Sequence, residues 1–322
     1  MRDCFHMAAR PFNLVHLSDF HLCQVDGVSV REVMNKRAIG YLAWRVYRGR
    51  ENRSAVLSAM VQALKKQAWD QVVVTGDLTH LGLPSEFRLA RQFLEAIGRP
   101  DQVFVIPGNH DALVPSAAEN TAALLPDYVA SDDTLARRSS SPPPVYPSVR
   151  IRGDVALIGL STAHPTWPFS AAGIIGEVQE RCLAELLSNI GNQGLFRVVL
   201  IHHPLIPGLV SWRKCLRDAS RVTGILQRYG AELVLHGHTH RDFRGSLPGP
   251  SGPIPEFGLP STSSGHQSLE RRARFRRFSI RRVPGGWTVA VQDHVFSPDG
   301  NGVELSGDSR FHAGPNIPVS AA

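Results

Sequence analysis

Val103-Phe104-Val105-Ile106-Pro107-Gly108-Asn109-His110-Asp111 is a short apolar run that ends at a Pro-Gly turn and delivers an amide, an imidazole and a carboxylate. Four consecutive large apolar side chains fit a strand buried on both faces, as in a parallel sheet covered by helices. The same design recurs along the chain. Val72-Val73-Val74 leads to Gly76-Asp77, Val198 to Ile201 leads to His202-His203-Pro204, and Leu233-Val234-Leu235 leads to Gly237-His238-Thr239-His240. Leu14 to Leu17, interrupted by His16, leads to Asp19-Phe20-His21. Helical spacing separates the runs: Val56, Met60, Ala63 and Leu64 after a Ser54 cap, then Phe87, Ala90, Leu94 and Ile97 after Pro84-Ser85-Glu86. Further helices are expected near residues 177–189 and 218–229. Alternating strands and helices imply an α/β fold with a parallel sheet. Residues at the ends of such strands converge on one sheet edge.

Carboxylate, amide oxygen and imidazole are the side chains that hold hard or borderline metal ions. In extended backbone, residues i and i+2 point the same way, so Asp19 and His21 can grip one ion together. His238 and His240 can each serve one of two ions. Asp77, on the middle strand, can bridge two cations through its two oxygens, Asn109 offers a neutral oxygen, and His202 or His203 completes the set. Glycines 76, 108 and 237 suit close backbone approach. Two ions so placed clamp a phosphoryl group and hold a shared hydroxide as nucleophile. His110 is expected to be the general acid for the leaving group, oriented and charged by the adjacent Asp111. His16, His80, His164 and His236 fit structural or supporting duty.

These blocks together resemble the signature of the calcineurin-like metallophosphoesterases: DxH, GD, GNHD or GNHE, H, and GHxH. The resemblance runs from about Phe12 to Val295 and implies a four-layer αββα sandwich of two mixed sheets. It also implies one ion held by Asp19, His21, Asp77 and His240, and a second by Asp77, Asn109, His202 and His238, with His202 preferred over His203. Family members use iron, manganese or zinc. Within the family the chain looks similar to bacterial cyclic-nucleotide and glycerophosphodiester phosphodiesterases. The expected activity is hydrolysis of a phosphodiester or pyrophosphate in a nucleotide-like small molecule. Alternatives are a UDP-2,3-diacylglucosamine-type pyrophosphatase at the membrane surface, or a nuclease. A non-catalytic scaffold would be expected to lack ligand residues, and none of the five blocks is degraded.

At 322 residues and 43% apolar, the chain supports one large domain, expected over residues 11–296. Residues 1–10, without the apolar stretch of a secretory signal, and 306–322 are expected to be flexible tails, and residues 112–147, rich in Ser and Pro, a mobile excursion. Four scattered cysteines without CxxC spacing suit reduced thiols in the cytoplasm. The net charge of +7 favours an anionic partner. Much of it lies in an insertion at residues 27–53, where Tyr41, Trp44 and Tyr47 alternate with arginines. That insertion fits a helix packed on the domain, an interfacial helix on an anionic membrane, or a flap over the substrate. A second basic run, from Glu270 to Arg282, fits a strand with a solvated face; nucleic-acid contact is the less favoured alternative.

Overall fold

The computed structural model describes residues 10–24, 36–38, 53–132, 146–300 and 302–314. Three parallel strands, β1 (Phe12–Leu17), β2 (Gln71–Thr75) and β3 (Val103–Ile106), lie side by side. Their alternating side chains feed two different cores. Val15, Leu17, Val72, Val74, Val103 and Val105 pack against helices α1 (Arg53–Lys65) and α2 (Pro84–Ile97) through Leu57, Met60, Leu64, Phe87 and Leu94. Leu14, Val73, Phe104 and Ile106 face the opposite way and meet Leu157, Val198, Leu200, Leu233 and Leu235 of a second sheet.

The second sheet contains β4 (Ser148–Arg152), β5 (Val155–Gly159), β6 (Phe196–Leu200), β7 (Leu233–His236), β8 (Phe243–Leu247) and β9 (Ile254–Gly258), in the order β4-β5-β6-β7-β9-β8. Its central strands β5, β6, β7 and β9 are parallel, and both edge strands are antiparallel. Its outer face, Ala156, Ile158, Val199 and Val234, is covered by α3 (Gly176–Asn192) and α4 (Ala219–Tyr229). The first sheet is extended antiparallel to β1 by β10 (Arg274–Val283), β11 (Gly286–Phe296) and β12 (Val303–Ala313). Helix, sheet, sheet and helix make the four expected layers, with both sheets mixed.

Several expectations need correction. Of the tail expected at residues 306–322, the part up to Ala313 belongs to β12, which pairs along its length with β11, and residues 315–322 lie outside the described residues, as do 1–9 of the other expected tail. The strand β12 is a polar edge strand bearing Glu304, Asp308 and Arg310, charges that blunt further strand pairing. The excursion expected at residues 112–147 is ordered as far as 132: short helical turns at Asn120–Leu124 and Pro126–Val129 bury Leu125, Tyr128 and Val129 against the α2 side of the first sheet. Residues 133–145 lie outside the described residues. The basic run on β10 does not present a simple solvated face. Arg274 and Arg276 are buried and paired with Asp242 and Asp293. Of the insertion at 27–53, only Lys36 to Ala38 and the start of α1 fall among the described residues. The Arg37 guanidinium donates to the carbonyls of Leu81 (2.8 Å) and Gly82 (2.9 Å).

Candidate metal centre

The segments that follow β1, β2, β3, β6 and β7 meet at one edge of the sandwich. The first two zip together: the amides of Asp19 and His21 donate to the carbonyls of Gly76 and Asp77, each at 2.9 Å. Asp19, His21, Asp77, His238 and His240 all have φ between 46° and 65°, the left-handed region that non-glycine residues rarely adopt. Such strain persists where surrounding structure enforces it, and it clusters at functional sites. The glycines permit the close approach. A Cβ at Gly237 would lie 2.1 Å from Ser18 Oγ and 2.3 Å from Asp19 Oδ2, and one at Gly108 would lie 2.2 Å from Asp77 Oδ1.

Asp19, His21, Asp77 and His240 each aim one donor atom into a common point, all within 4.8 Å of one another. His240 Nε2 is 3.1 Å from Asp19 Oδ1, and His21 Nε2 is 3.6 Å from Asp19 Oδ1 and 3.7 Å from Asp77 Oδ2. Metal–nitrogen bonds of about 2.1 Å place neighbouring donor atoms about 3.0–3.4 Å apart, which this set approaches. Among the described residues, no lysine or arginine pairs with buried Asp19 or Asp77. Burial would push the Asp19 carboxyl up, but hydrogen bonds from His21 and His240 outweigh it and hold it well below the usual carboxylate range. Asp77 is likewise held low against its burial, mainly by His202 and His110. Burial lowers His21 well below its ordinary value, so its ring is neutral.

The second predicted set is pinned by outer partners, the arrangement typical of metal-binding histidines. His202 Nδ1 donates to the Thr75 carbonyl (2.7 Å), so Nε2 faces inward, 3.4 Å from Asp77 Oδ2 and 3.2 Å from Asn109 Oδ1. His238 Nε2 donates to the Lys214 carbonyl (2.8 Å), leaving Nδ1 bare at 2.8 Å from Asn109 Oδ1. Once His202 is in its neutral form, these two ring nitrogens and the Asn109 oxygen turn lone pairs to one point, a disposition that suits a cation. Burial opposes the charged imidazole of His202, but the Asp77 carboxylate prevails and lifts it to about 9, so a proton occupies this ring when protein groups alone surround it. His203 is spent elsewhere, on Thr162 Oγ1 (2.7 Å) and the Ala171 carbonyl (2.9 Å).

Two expectations fail here. Asp77 does not turn both oxygens to the centre: Oδ1 accepts the His110 amide (2.7 Å), and Oδ2 alone faces His21 and His202. Asp111 does not orient His110. Its buried carboxylate accepts the amides of Leu78, Thr79 and Gly108 and the Thr79 hydroxyl, at 2.8–3.2 Å. His110 is held instead by the His80 carbonyl at Nδ1 (2.7 Å) and by stacking on the His80 ring, 5.2 Å between centroids. His16 and His236 are buried on Thr75 Oγ1 (2.8 Å) and the Gly237 carbonyl (2.9 Å), in supporting positions. Sequence reasoning missed Ser261 and Ser263, whose hydroxyls donate to the carbonyls of Asp19 (2.5 Å) and Phe20 (2.7 Å), and Thr262, whose hydroxyl accepts the Ser18 amide (3.0 Å). Their only sequence signal is a run of small hydroxyl residues.

A profile of the calcineurin-like phosphoesterases matches residues 12–242, well over half of the chain. The chain belongs to that family. This phosphoesterase is 28% identical, over 223 residues, to a probable cyclic nucleotide phosphodiesterase of Synechococcus sp. (strain WH7803), covering 67% of the chain and 75% of the relative. A 42-residue stretch, 13% of the chain and 14% of the relative, is 50% identical to the glycerophosphodiester phosphodiesterase GpdQ of Enterobacter lignolyticus (strain SCF1). The fold is similar to that of a dimetal phosphatase from Danio rerio, with a TM-score of 0.58 and 14% identity over 94% of this chain and 99% of that one. The phosphoesterase is accordingly a metal-dependent hydrolase of phosphoric esters.

Proposed function

We propose that this phosphoesterase hydrolyses a phosphodiester or pyrophosphate bond of a nucleotide-like small molecule, using two metal ions. Asp19, His21, Asp77 and His240 would hold one, and Asp77, Asn109, His202 and His238 the other. The observation that carries the reading is Asp77 Oδ2, which stands 3.7 Å from His21 Nε2 and 3.4 Å from His202 Nε2 and so belongs to both groups. Oxygen and imidazole donors without thiolate suit manganese, iron or zinc. Bound there, the ions supply charge to the phosphoryl oxygens and acidify a water.

The chain's own groups do the remainder. As water's oxygen bonds to phosphorus and the ester bond breaks, His110 gives its proton to the departing alkoxide. Its Nδ1–H is engaged by the His80 carbonyl, so Nε2 is the donor. Lys214, Arg241 and Arg271 edge the mouth above Asp77 and Asn109 and attract the anionic substrate. Asp111 and Ser261 hold the loops that carry Asp77 and Asp19. Turnover of bis-p-nitrophenyl phosphate should require added manganese and vanish in Asp77→Ala; a fully active Asp77→Ala would refute the assignment.

The thiols Cys182 and Cys215 support a cytoplasmic setting. No helix among the described residues is long and apolar enough to cross a membrane. Trp167 and Trp212, 85% and 75% exposed, stand on neighbouring loops with Arg213 and Lys214. They favour a second reading in which substrate is met at an anionic membrane surface. Sedimentation with anionic vesicles at low salt tests it, and absence of binding there would dismiss it. A nuclease role loses support, because Arg274 and Arg276 are consumed by internal ion pairs.

A further inference from the structure

Two cavities meet at the mouth of the metal centre, and their chemistry differs. The larger, about 470 Å³, lies over Asp77 and His240 and is edged by Lys214, Arg241 and Arg271. The smaller, an alcove of about 230 Å³, opens between Phe169, Leu113 and Lys36. The two share Asn109, His110, Ala171 and Lys214. A phosphorus atom seated at Asn109 and His110 therefore has a polar recess on one side and a mainly apolar one on the other. A diester has two arms to place.

Phe169 forms one wall of the alcove in an unusual way. Its side chain is 75% exposed, and it belongs to none of the apolar cores among the described residues. Its φ is 65°, a conformation costly for a bulky residue and kept only where neighbours enforce it. The neighbours are evident. The Ser170 carbonyl accepts Lys36 Nζ (2.8 Å) and Thr166 Oγ1 (2.6 Å), and the Ala171 amide donates to the Arg213 carbonyl (2.8 Å). Leu113 is backed by Leu81 and Leu83 in a small buried cluster. Fold stability does not explain an aromatic ring held out beside His110 at a cost in backbone strain.

We infer that this alcove is a binding subsite for one ester arm of the substrate, and that it takes a planar aromatic group stacked on Phe169. The inference rests on the phosphodiesterase reading above and adds the character of the arm. The polar arm then occupies the larger recess, near Arg241 and Arg271.

Phenyl phosphate and methyl phosphate, used as competitive inhibitors of bis-p-nitrophenyl phosphate hydrolysis by the manganese-loaded enzyme, bring the same phosphoryl group and differ in the arm alone. Stacking on an aromatic side chain should make phenyl phosphate about tenfold the tighter inhibitor. Phe169→Ala and Phe169→Gly should each abolish that preference without changing inhibition by methyl phosphate; the glycine variant also relieves the strained φ, guarding against a folding defect. Trp212→Ala, an exposed aromatic outside both cavities, should keep the preference. Equal inhibition in the unaltered enzyme, or a preference that survives both Phe169 variants, would overturn the subsite and leave the metal centre standing. Should the unaltered enzyme hydrolyse no diester with manganese, the phosphodiesterase reading fails, and calorimetric binding of the two phosphates still decides the alcove by the same ratio.

Discussion

Loading the centre with a divalent ion at pH 7 should expel one proton per chain from His202, beyond what a water acidified by the ions gives up. Asp77 lifts this imidazole to about 9 against its burial, so the ring is almost fully protonated at pH 7. Its neutral form is the one that can bind. Two pH units of protonation cost about 3 kcal/mol of binding free energy at pH 7. Affinity for the ion on the His202 side should therefore rise tenfold per pH unit and flatten above about pH 9. Four of the other ligands contribute little to the release: burial keeps His21 and His238 neutral, and Asp19 and Asp77 are already ionised. Titrating manganese calorimetrically in three buffers of different ionisation enthalpy measures the released protons directly. His202→Ala should lower the release by one proton, leaving only what the water acidified by the ions gives up, and should make the pH slope shallower. No release at pH 7 in the unaltered protein, or an undiminished one in His202→Ala, would refute the reasoning.

Other outcomes follow from the same geometry. Gly237→Ala places a methyl group within 2.3 Å of Asp19 Oδ2 and must displace that carboxylate, so metal affinity should fall about 10–100-fold by equilibrium dialysis. Asp111→Ala orphans three buried amides and a hydroxyl at about 1–3 kcal/mol each, partly offset because burial and the Asp77 charge already raise the Asp111 carboxyl to about 6. Its melting temperature should drop by several degrees, while the pH profile of residual activity stays put; a shifted profile would restore a role for Asp111 on His110. Burial raises the carboxyls of Glu86 and Glu256 to about 7 from an ordinary 4.5, so the folded state binds more protons between those values. Their stabilising contribution is complete below about pH 4.5 and is lost as pH rises through 7, about 3 kcal/mol for each. Urea unfolding of Glu86→Gln should show roughly half of that decline.

The five blocks were legible because each sits where a short apolar strand ends, and the ends of β1, β2 and β3 in one sheet and of β6 and β7 in the other meet at one edge of the sandwich. That logic put Asp19, Asp77, Asn109 and His238 near one another without any knowledge of distances, and it left His202 and His203 open, a choice only the family resemblance made. It failed where a partner is chosen by the tertiary fold. Asp111 follows His110 in the chain, yet its hydrogen-bond partners include Leu78 and Thr79, more than thirty residues upstream, because the turns after β2 and β3 pack on each other. Ser261 supports Asp19 across 242 positions, a separation no local pattern encodes. The strand β12 escaped notice because Gly307 and Ser309 interrupt its inward side between Val303 and Phe311, which breaks the apolar alternation. Arg276 looked like surface charge until Asp242 and Asp293, from two other parts of the chain, were seen to enclose it.

Anomalous diffraction from crystals soaked in manganese measures the heart of the account. Two peaks are expected on opposite sides of Asp77 Oδ2, one against Asp19 and His240 and the other against Asn109 and His238. A single peak, or peaks that leave Asp77 outside the contacts of either, would contradict it.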